Sequence, residues 1–171
     1  MLDKKISKLL NEQVNAEFYS AYLYLDFANF FTDKSLDGFA NWFQVQAQEE
    51  RDHAMLMMQY MQQNGESVTL EAIKKPDVEM KEYIDPLEGS ANHERYVTEL
   101  IHNIYDVAYQ VKDYRTMQFL DWFIKEQGEE EDNANKNIEQ YKLFGSDPKG
   151  LFDLDREMAG RVYTAPTLTI G

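Results

Sequence analysis

The sequence predicts an all-α protein, a four-helix bundle with one long crossover connection and a short fifth helix near the C-terminus. Three observations indicate this fold class. Apolar residues recur at alternating steps of three and four in four long segments. The 8 glycines and 4 prolines are few and are spaced at intervals along the chain, so the segments are long. One long connection, residues 65–90, could run the full length of a helix and so join two antiparallel hairpins.

The five predicted helices follow from these breaks in the apolar pattern. Their approximate ranges are 6–31, 36–63, 91–112, 116–144 and 149–159. Ser35 is the predicted N-cap of the second helix, and Ser90 that of the third. We expect residues 1–160 to form one domain and residues 161–171 to form a C-terminal tail.

Composition limits the class of protein. Hydrophobic residues make up 43% and aromatic residues 13% of the 171 positions, which is typical of a globular chain. The 17 basic and 31 acidic side chains give a formal net charge of −14, which disfavours nucleic acid and anionic membranes and favours cations. The chain has no cysteine, so disulfides and thiolate sites are excluded. No apolar segment approaches membrane-spanning length, and we expect a cytoplasmic protein.

Every one of the four long helices carries a glutamate on its predicted buried face. These glutamates are Glu17, Glu50, Glu94 and Glu130. Burying a carboxylate without a partner costs several kcal/mol, and four together also repel one another. No lysine or arginine interrupts the four faces, whereas two divalent cations would balance four negative charges. The pattern therefore predicts a metal centre inside the bundle.

The two predicted hairpins differ in how well they align these residues. Glu17 and Glu50 lie at nearly equal distances from the turn between the first two helices, so antiparallel packing places them level. In the second hairpin, Glu94 and Gln127 are offset by about five residues, or about 8 Å at 1.5 Å per residue. We expect a kinked junction between the third and fourth helices to absorb that offset.

The ligand types narrow the choice of metal. Carboxylate oxygens with one imidazole favour iron or manganese over structural zinc or calcium. Glu50 and His53 form an E-x-x-H pair on one helix face, the pattern of di-iron carboxylate bundles. His93 and His102 lie off the buried face of their helix, and we expect both at the surface.

Four motifs extend this interpretation to a family. The stretches "NEQVNAEFYSAYLYL", "QAQEERDHAMLM", "HERYVTELI" and "FLDWFIKEQGEEE" resemble the bacterial non-haem ferritins, and the likeness covers the chain from the first helix through the fifth. The resemblance implies a ferritin-like diiron domain over residues 1–160 and a shell of 24 identical subunits. It also implies that Fe(II) is oxidised by O2 or hydrogen peroxide at a diiron ferroxidase centre in each subunit, and that ferric mineral is stored inside.

The resemblance also assigns the site residues. The centre, with two irons per subunit, would be formed by six metal-site residues: Glu17, Glu50, His53, Glu94, Gln127 and Glu130. A third iron site facing the cavity would use Glu49, Glu126 and Glu129, with Glu130 shared; the alternative is that the first three are only solvated neighbours. Tyr24 matches a tyrosine that could donate an electron during oxygen reduction, and Trp122 falls nearby. Tyr24 could equally be a packed, hydrogen-bonded aromatic.

Other members of the wider family fit less well. Haem-binding bacterioferritins carry a second E-x-x-H on the fourth helix and a haem methionine just before the first histidine. This chain has Gln127 and Glu130 on the fourth helix and Asp52 at the methionine position. We therefore expect no haem. A rubrerythrin-like peroxidase would need cysteines. A cage that only buffers cations, without catalysis, remains the alternative function.

Gly128 interrupts the acidic run "KEQGEEEDN" of the fourth helix and lowers helix propensity there by about 1 kcal/mol. We interpret it as making room for a neighbouring helix. Within the run, Glu131 and Asp132 are expected to face water.

Overall fold

The computed structural model describes residues 2–170, which form five helices and contain no strand. The helices are α1 (Lys4–Asp33), α2 (Asp37–Gln63), α3 (Ile84–Val111), α4 (Tyr114–Phe144) and α5 (Pro148–Met158). Helices α1 and α2 form one antiparallel hairpin and α3 and α4 form the other, while α5 packs against α2 and α4. The predicted fold class, an all-α four-helix bundle with a short fifth helix, is confirmed. None of the helices within residues 2–170 combines the length and apolar character needed to cross a membrane.

The start of α2 differs from the prediction. Ser35 has a φ of 57°, in the left-handed region, and makes the tight turn out of α1. The N-cap is Leu36, whose side chain makes no cap hydrogen bond. Instead, the Asp155 carboxylate of α5 accepts hydrogen bonds from the backbone N–H groups of Gly38 and Phe39, at 2.9 and 3.0 Å. The prediction for Ser35 is therefore wrong, because a distant side chain caps the helix.

The start of α3 also differs, since the helix begins at Ile84, well before Ser90. Pro86 falls in its first turn, where the missing N–H has no intrahelical partner to lose. Asp85 stabilises the preceding turn by accepting hydrogen bonds from the backbone N–H groups of residues 81 and 82, both at 2.7 Å. Ser90 lies inside the helix and is buried, so its prediction as an N-cap is wrong.

The crossover connection, residues 64–83, runs beside α1. Asn11 accepts from the Thr69 N–H at 2.7 Å and donates to the Thr69 carbonyl at 3.2 Å. Asn15 donates to the same carbonyl at 2.9 Å and accepts from the Glu71 N–H at 2.7 Å. These side-chain amides supply hydrogen bonds that an extended segment cannot make within itself. The long connection predicted from the sequence is confirmed.

The core consists of two apolar clusters at opposite ends of the bundle. The first cluster includes Ile6, Leu10, Val14, Met57, Met61, Ile101, Phe119 and Phe123. The second includes Leu23, Phe27, Phe31, Phe39, Phe43 and Leu87. On α1 the two clusters are separated by a buried polar stretch that contains Glu17 and Ser20. The core is therefore apolar at both ends and polar in the middle.

Helices α2 and α4 are farther apart than the two helices of either hairpin. Across their described lengths, no Cα atom of α2 lies within 8 Å of a Cα atom of α4. Aromatic side chains fill part of the gap: the rings of Tyr60 and Phe119 stack with centroids 3.9 Å apart. A groove remains on the surface between the two helices.

Candidate metal centre

The middle layer of the bundle gathers polar side chains from all four long helices. All six predicted metal-site residues are at most 6% exposed: Glu17 on α1, Glu50 and His53 on α2, Glu94 on α3, and Gln127 and Glu130 on α4. Each lies on the apolar face of its helix, because the 3.6-residue period places it in line with the flanking core residues. Helix periodicity thus turns all six side chains toward the interior of the bundle.

Glu17, Glu50 and His53 form a compact cluster. One ligand atom from each lies within 4.8 Å of the others, and no other group of this kind occurs in residues 2–170. Gln13 Nε2 donates to Glu17 Oε1, and Gln46 Nε2 donates to Glu50 Oε1, both at 2.8 Å. Each glutamine lies one turn before the glutamate that it orients. Sequence reasoning gave no role to Gln13, although the i, i+4 spacing repeats that of Gln46.

The other half of the layer is built around Glu94. The Tyr24 hydroxyl donates to Glu94 Oε1, and Gln127 Nε2 donates to Glu94 Oε2 at 3.0 Å. Gln127 Nε2 also lies 3.4 Å from Thr98 Oγ1, one turn further along α3. Gln127 and Glu94 are therefore in direct contact, although the sequence offsets them by about five residues. The kinked junction expected between α3 and α4 stays a prediction.

Burial dominates the electrostatics of three of the glutamates. Burial, reinforced by the charge of Glu50, raises the pKa of Glu17 and of Glu130 to about 8. The same two causes raise the pKa of Glu94 well above its usual range. At neutral pH and without a cation, these three carboxyl groups therefore hold protons.

Glu50 and His53 behave differently. Burial opposes the ionisation of both, but their mutual attraction outweighs it, with His53 Nδ1 at 3.3 Å from Glu50 Oε2. The ion pair lowers the pKa of Glu50 and raises that of His53 to about 10. The centre thus contains one internal ion pair and three protonated carboxyl groups.

These residues have the properties of a cation site. Among residues 2–170, Glu17 Oε2 is the one buried side-chain oxygen or nitrogen without a hydrogen-bond partner. Its lone pairs, the three other carboxyl groups and one imidazole make a donor set suited to iron or manganese. Removing the protons exposes four negative charges, which two divalent cations would balance.

The residues predicted for the third iron site are less closely gathered. Glu49 and Glu126 are half-buried, and Glu129 is exposed. Glu49 Oε2 accepts from Arg161 Nη2 at 2.5 Å, and Glu129 Oε1 lies 3.4 Å from Lys125 Nζ. Within the described residues, these three carboxylates do not converge as tightly as Glu17, Glu50 and His53 do. The third site stays a prediction.

The aromatic residues singled out by the sequence border the centre. Tyr24 is fully buried, and burial together with the neighbouring charge of Glu94 raises its pKa well above the usual value. Its ring stacks on Phe43 at a centroid distance of 5.8 Å. The ring of Trp122 meets that of His53 edge-on, with centroids 5.5 Å apart. Both positions are consistent with the neighbourhood that the resemblance implied.

Two expectations about histidine have opposite outcomes. His102 is exposed, as predicted. His93 is half-buried, with Nε2 at 2.7 Å from Ser20 Oγ and its ring 5.8 Å from that of Tyr19. The surface prediction for His93 is wrong, because α1 and α3 pack closely enough for Ser20 to reach it.

The interpretation of Gly128 is also wrong. A Cβ atom built there would meet no heavy atom within 4 Å, so no neighbouring helix requires the missing side chain. The rest of the acidic run divides as expected between buried and exposed positions, except that Glu131 is half-buried and accepts from Thr98 Oγ1 at 2.5 Å.

Comparison with known proteins agrees with this geometry. A family model described as a ferritin-like domain matches residues 7–144. A bacterial non-heme ferritin of Staphylococcus epidermidis is 37% identical over 163 residues, covering 95% of this chain and 98% of the relative. That of Campylobacter jejuni is 36% identical over 156 residues, covering 91% and 93%.

Solved structures give the same result. The open-pore ferritin of the archaeon Archaeoglobus fulgidus is 41% identical and superposes with a TM-score of 0.91, covering 94% of this chain and 98% of that one. A form of the same ferritin engineered to be closed reaches a TM-score of 0.93 at 41% identity, covering 96% and 100%. Since the family model and the relatives span most of the sequence, the chain belongs to the ferritin family, with bacterial non-haem ferritins as its relatives.

Proposed function

We propose that this protein is an iron store with ferroxidase activity. In this proposal each subunit oxidises Fe(II) to Fe(III) with O2 or hydrogen peroxide at a diiron centre, and the ferric product is stored as mineral inside the shell. One observation carries the proposal: four glutamates and a histidine are buried in the middle layer of the bundle, and no lysine or arginine in the described residues forms an ion pair with those glutamates.

Each half of the centre would hold one Fe(II) ion as substrate. Glu17, Glu50 and His53 supply the ligands of the first ion, and their donor atoms already lie within 4.8 Å of one another. Glu94 and Glu130 supply those of the second, with Glu50 between the two. The donor set combines hard oxygens with a single nitrogen, which suits iron.

The side chains around the centre orient the metal ligands and provide a hydroxyl proton with an acceptor. Gln13, Gln46 and Gln127 each donate a hydrogen bond to one ligand carboxylate and so hold its orientation. Tyr24 is proposed as an electron donor to the oxidant, and its hydroxyl proton has an acceptor in Glu94 Oε1. In this proposal the protein supplies charged ligands and holds them in position, and no side chain acts as a covalent nucleophile.

A shell of 24 identical subunits in the cytoplasm completes the proposal. The solved relatives that support it are ferritins. Large apolar side chains on the outside of the isolated subunit are available for contacts between subunits: Tyr22, Leu25, Tyr109, Tyr114 and Phe144 are all about half exposed or more. The net charge of −14 favours Fe(II) over nucleic acid or membrane as a partner.

An oxidation burst tests the proposal. Anaerobic loading with Fe(II) followed by O2 should give a rapid phase of about two irons per subunit. Glu50→Ala and His53→Ala should abolish this phase, whereas Glu99→Ala, which removes an exposed glutamate of α3, should retain it. An unchanged burst in Glu50→Ala would overturn the assignment.

The same assay separates catalysis from simple cation buffering. A Glu17→Ala/Glu130→Ala double variant removes one ligand from each half of the centre. If the shell only buffers cations and iron oxidises spontaneously, the double variant should oxidise Fe(II) as fast as the unchanged protein. The ferroxidase proposal requires a large loss of rate.

A further inference from the structure

The C-terminal tail lies in the groove between α2 and α4. Asn41 Nδ2, near the start of α2, donates to the Arg161 carbonyl at 3.0 Å. Further along, the Tyr163 hydroxyl donates to Asp52, and Trp122 Nε1 of α4 donates to Thr167 Oγ1 at 3.0 Å. The last described residues, Leu168 and Ile170, pack against the first apolar cluster. The tail therefore follows α2 past the metal centre.

Arg161 anchors the start of the tail. Its Nη2 contacts Glu49 Oε2 at 2.5 Å, and its Nη1 donates to the Trp42 carbonyl at 3.2 Å. The guanidinium carbon lies 4.2 Å from the centre of the Trp42 ring. The side chains of Arg161 and Glu49 are only 14% and 18% exposed. The guanidinium is permanently charged, so Glu49 faces a fixed positive charge at every physiological pH.

This contact places a protein cation on one residue of the predicted third iron site. Glu49 directly precedes the centre ligand Glu50 in the sequence. Since two like charges repel at short range, the guanidinium on Glu49 Oε2 weakens the attraction of this carboxylate for a metal ion. Metal binding at Glu49 therefore competes with Arg161.

The remaining contacts suit a segment that can detach. No backbone-to-backbone hydrogen bond occurs within residues 162–170, which are held by side chains alone. Alternate residues of the tail, such as Val162 and Thr164, are exposed. The other residues, such as Tyr163 and Leu168, are only half-buried. Segments with few backbone hydrogen bonds and half-buried side chains open at a lower free-energy cost than core helices.

We propose that Arg161 and the C-terminal tail form a displaceable latch over the third site, in which the guanidinium occupies Glu49 until a metal ion replaces it. The inference rests on the proposed function, because it presupposes that metal ions pass between the centre and Glu49. A third ion then binds more weakly than the two ions of the centre, and its binding releases the tail.

Metal titration of the intact shell tests the latch, with anaerobic Zn(II) as a redox-inert probe. The unchanged protein should bind about two ions per subunit tightly and a third more weakly. Arg161→Ala should strengthen the third step about tenfold, the size expected for losing a charge-assisted hydrogen bond. Arg156→Ala, which removes an arginine of α5 that rests over Phe152, is the matched control and should change nothing. Adding Glu49→Ala to Arg161→Ala should abolish the gain.

Tryptophan fluorescence gives a second readout that does not need the arginine variant to fold. The chain has two tryptophans, and both contact the tail. In a Trp122→Phe background, the emission of Trp42 should shift with the third equivalent of Zn(II) and stay constant during the first two.

The outcomes separate the two proposals. Failure of the unchanged protein to bind two tight Zn(II) ions would count against the diiron centre itself. Two tight ions with a third step that is unaltered or weakened in Arg161→Ala would leave the centre standing and overturn the latch. A Trp42 emission that stays constant during the third equivalent of Zn(II) would also overturn the latch.

Discussion

Two groups of acidic residues lie side by side in this subunit, and their charge is balanced in different ways. In the centre, Glu17, Glu94 and Glu130 are buried and have no lysine or arginine partner in the described residues. In the neighbouring group, Glu49 pairs with Arg161 and Glu129 lies 3.4 Å from Lys125. The negative charge of the first group is left to protons or metal ions to neutralise. In the second group, Arg161 and Lys125 neutralise negative charge.

If the proposed function holds, the difference shows how a site is kept ready for a cation. A basic side chain inside the centre would stabilise the fold, but metal ions would then have to displace it. Protons neutralise the carboxyl groups equally well and leave readily when a stronger cation arrives. The pKa values of Glu17 and Glu130, both raised to about 8, mean that protons neutralise these carboxyl groups at neutral pH.

The largest expected effect is the pH dependence of metal binding. At pH 7, Glu17, Glu94, Glu130 and His53 all hold protons in the metal-free centre. Loading two divalent ions should therefore release about four protons, so the joint affinity should rise by up to about 10⁴-fold per pH unit below pH 8. Calorimetry of Zn(II) binding in buffers of different ionisation enthalpy measures the release. Release close to zero would contradict the proposed protonation.

Substitution of two ligands together should have the next largest effect. Glu17→Gln and Glu130→Gln keep the shape of the protonated side chain but remove the negative charge that appears on metal binding. Together they should weaken Zn(II) binding about 100-fold and reduce the proton release to about two. Glu129→Gln, in the neighbouring group, is the matched control. An equal loss of Zn(II) affinity in the double variant and in Glu129→Gln would remove the distinction between the two groups.

The stability of the metal-free protein should fall as pH rises, because the buried carboxyl groups of the centre lose their protons. The pKa values of Glu17 and Glu130 rise from 4.5 to about 8 on folding, so their stabilising effect is complete below pH 4.5. It is lost as pH rises toward 8, so the free energy of unfolding should fall by several kcal/mol over this range. Denaturant unfolding with a chelator present measures this. A flat or rising profile from pH 5 to pH 8.5 would be inconsistent with these values.

The smallest expected effect concerns the glycine between the two groups. Gly128→Ala should raise the free energy of unfolding by about 0.5–1 kcal/mol, because the new Cβ meets nothing within 4 Å and helix propensity improves. Gly38→Ala is the contrasting variant, since its Cβ would lie 1.6 Å from the Asp155 carbonyl oxygen and should destabilise the protein. A loss of stability in Gly128→Ala would contradict the open space around this position.

The buried layer of glutamates was predictable from the sequence because two strong physical constraints coincide there. Helical periodicity places Glu17 and Glu130 among core residues, and unpaired buried carboxylates are too costly to be structural accidents. The long crossover was predictable from its length alone. Neither inference needed knowledge of contacts between distant residues.

The details that escaped prediction depend on such contacts. The cap of α2 comes from Asp155 rather than from the local Ser35. Glu49 is paired with Arg161, which lies 112 residues away in the sequence. The start of α3 was misplaced for a different reason, because a proline in the first turn resembles a loop signal. Local patterns specify the helices, but the partners of capping and charged groups are set by packing.

The most direct test of the central claim is a crystal structure of the shell soaked anaerobically with Fe(II), using anomalous scattering to locate the metal. The proposed centre predicts two iron peaks in each subunit, one held by Glu17, Glu50 and His53 and the other by Glu50, Glu94 and Glu130. Ordered water without iron among these side chains, with iron found only at exposed carboxylates, would contradict it.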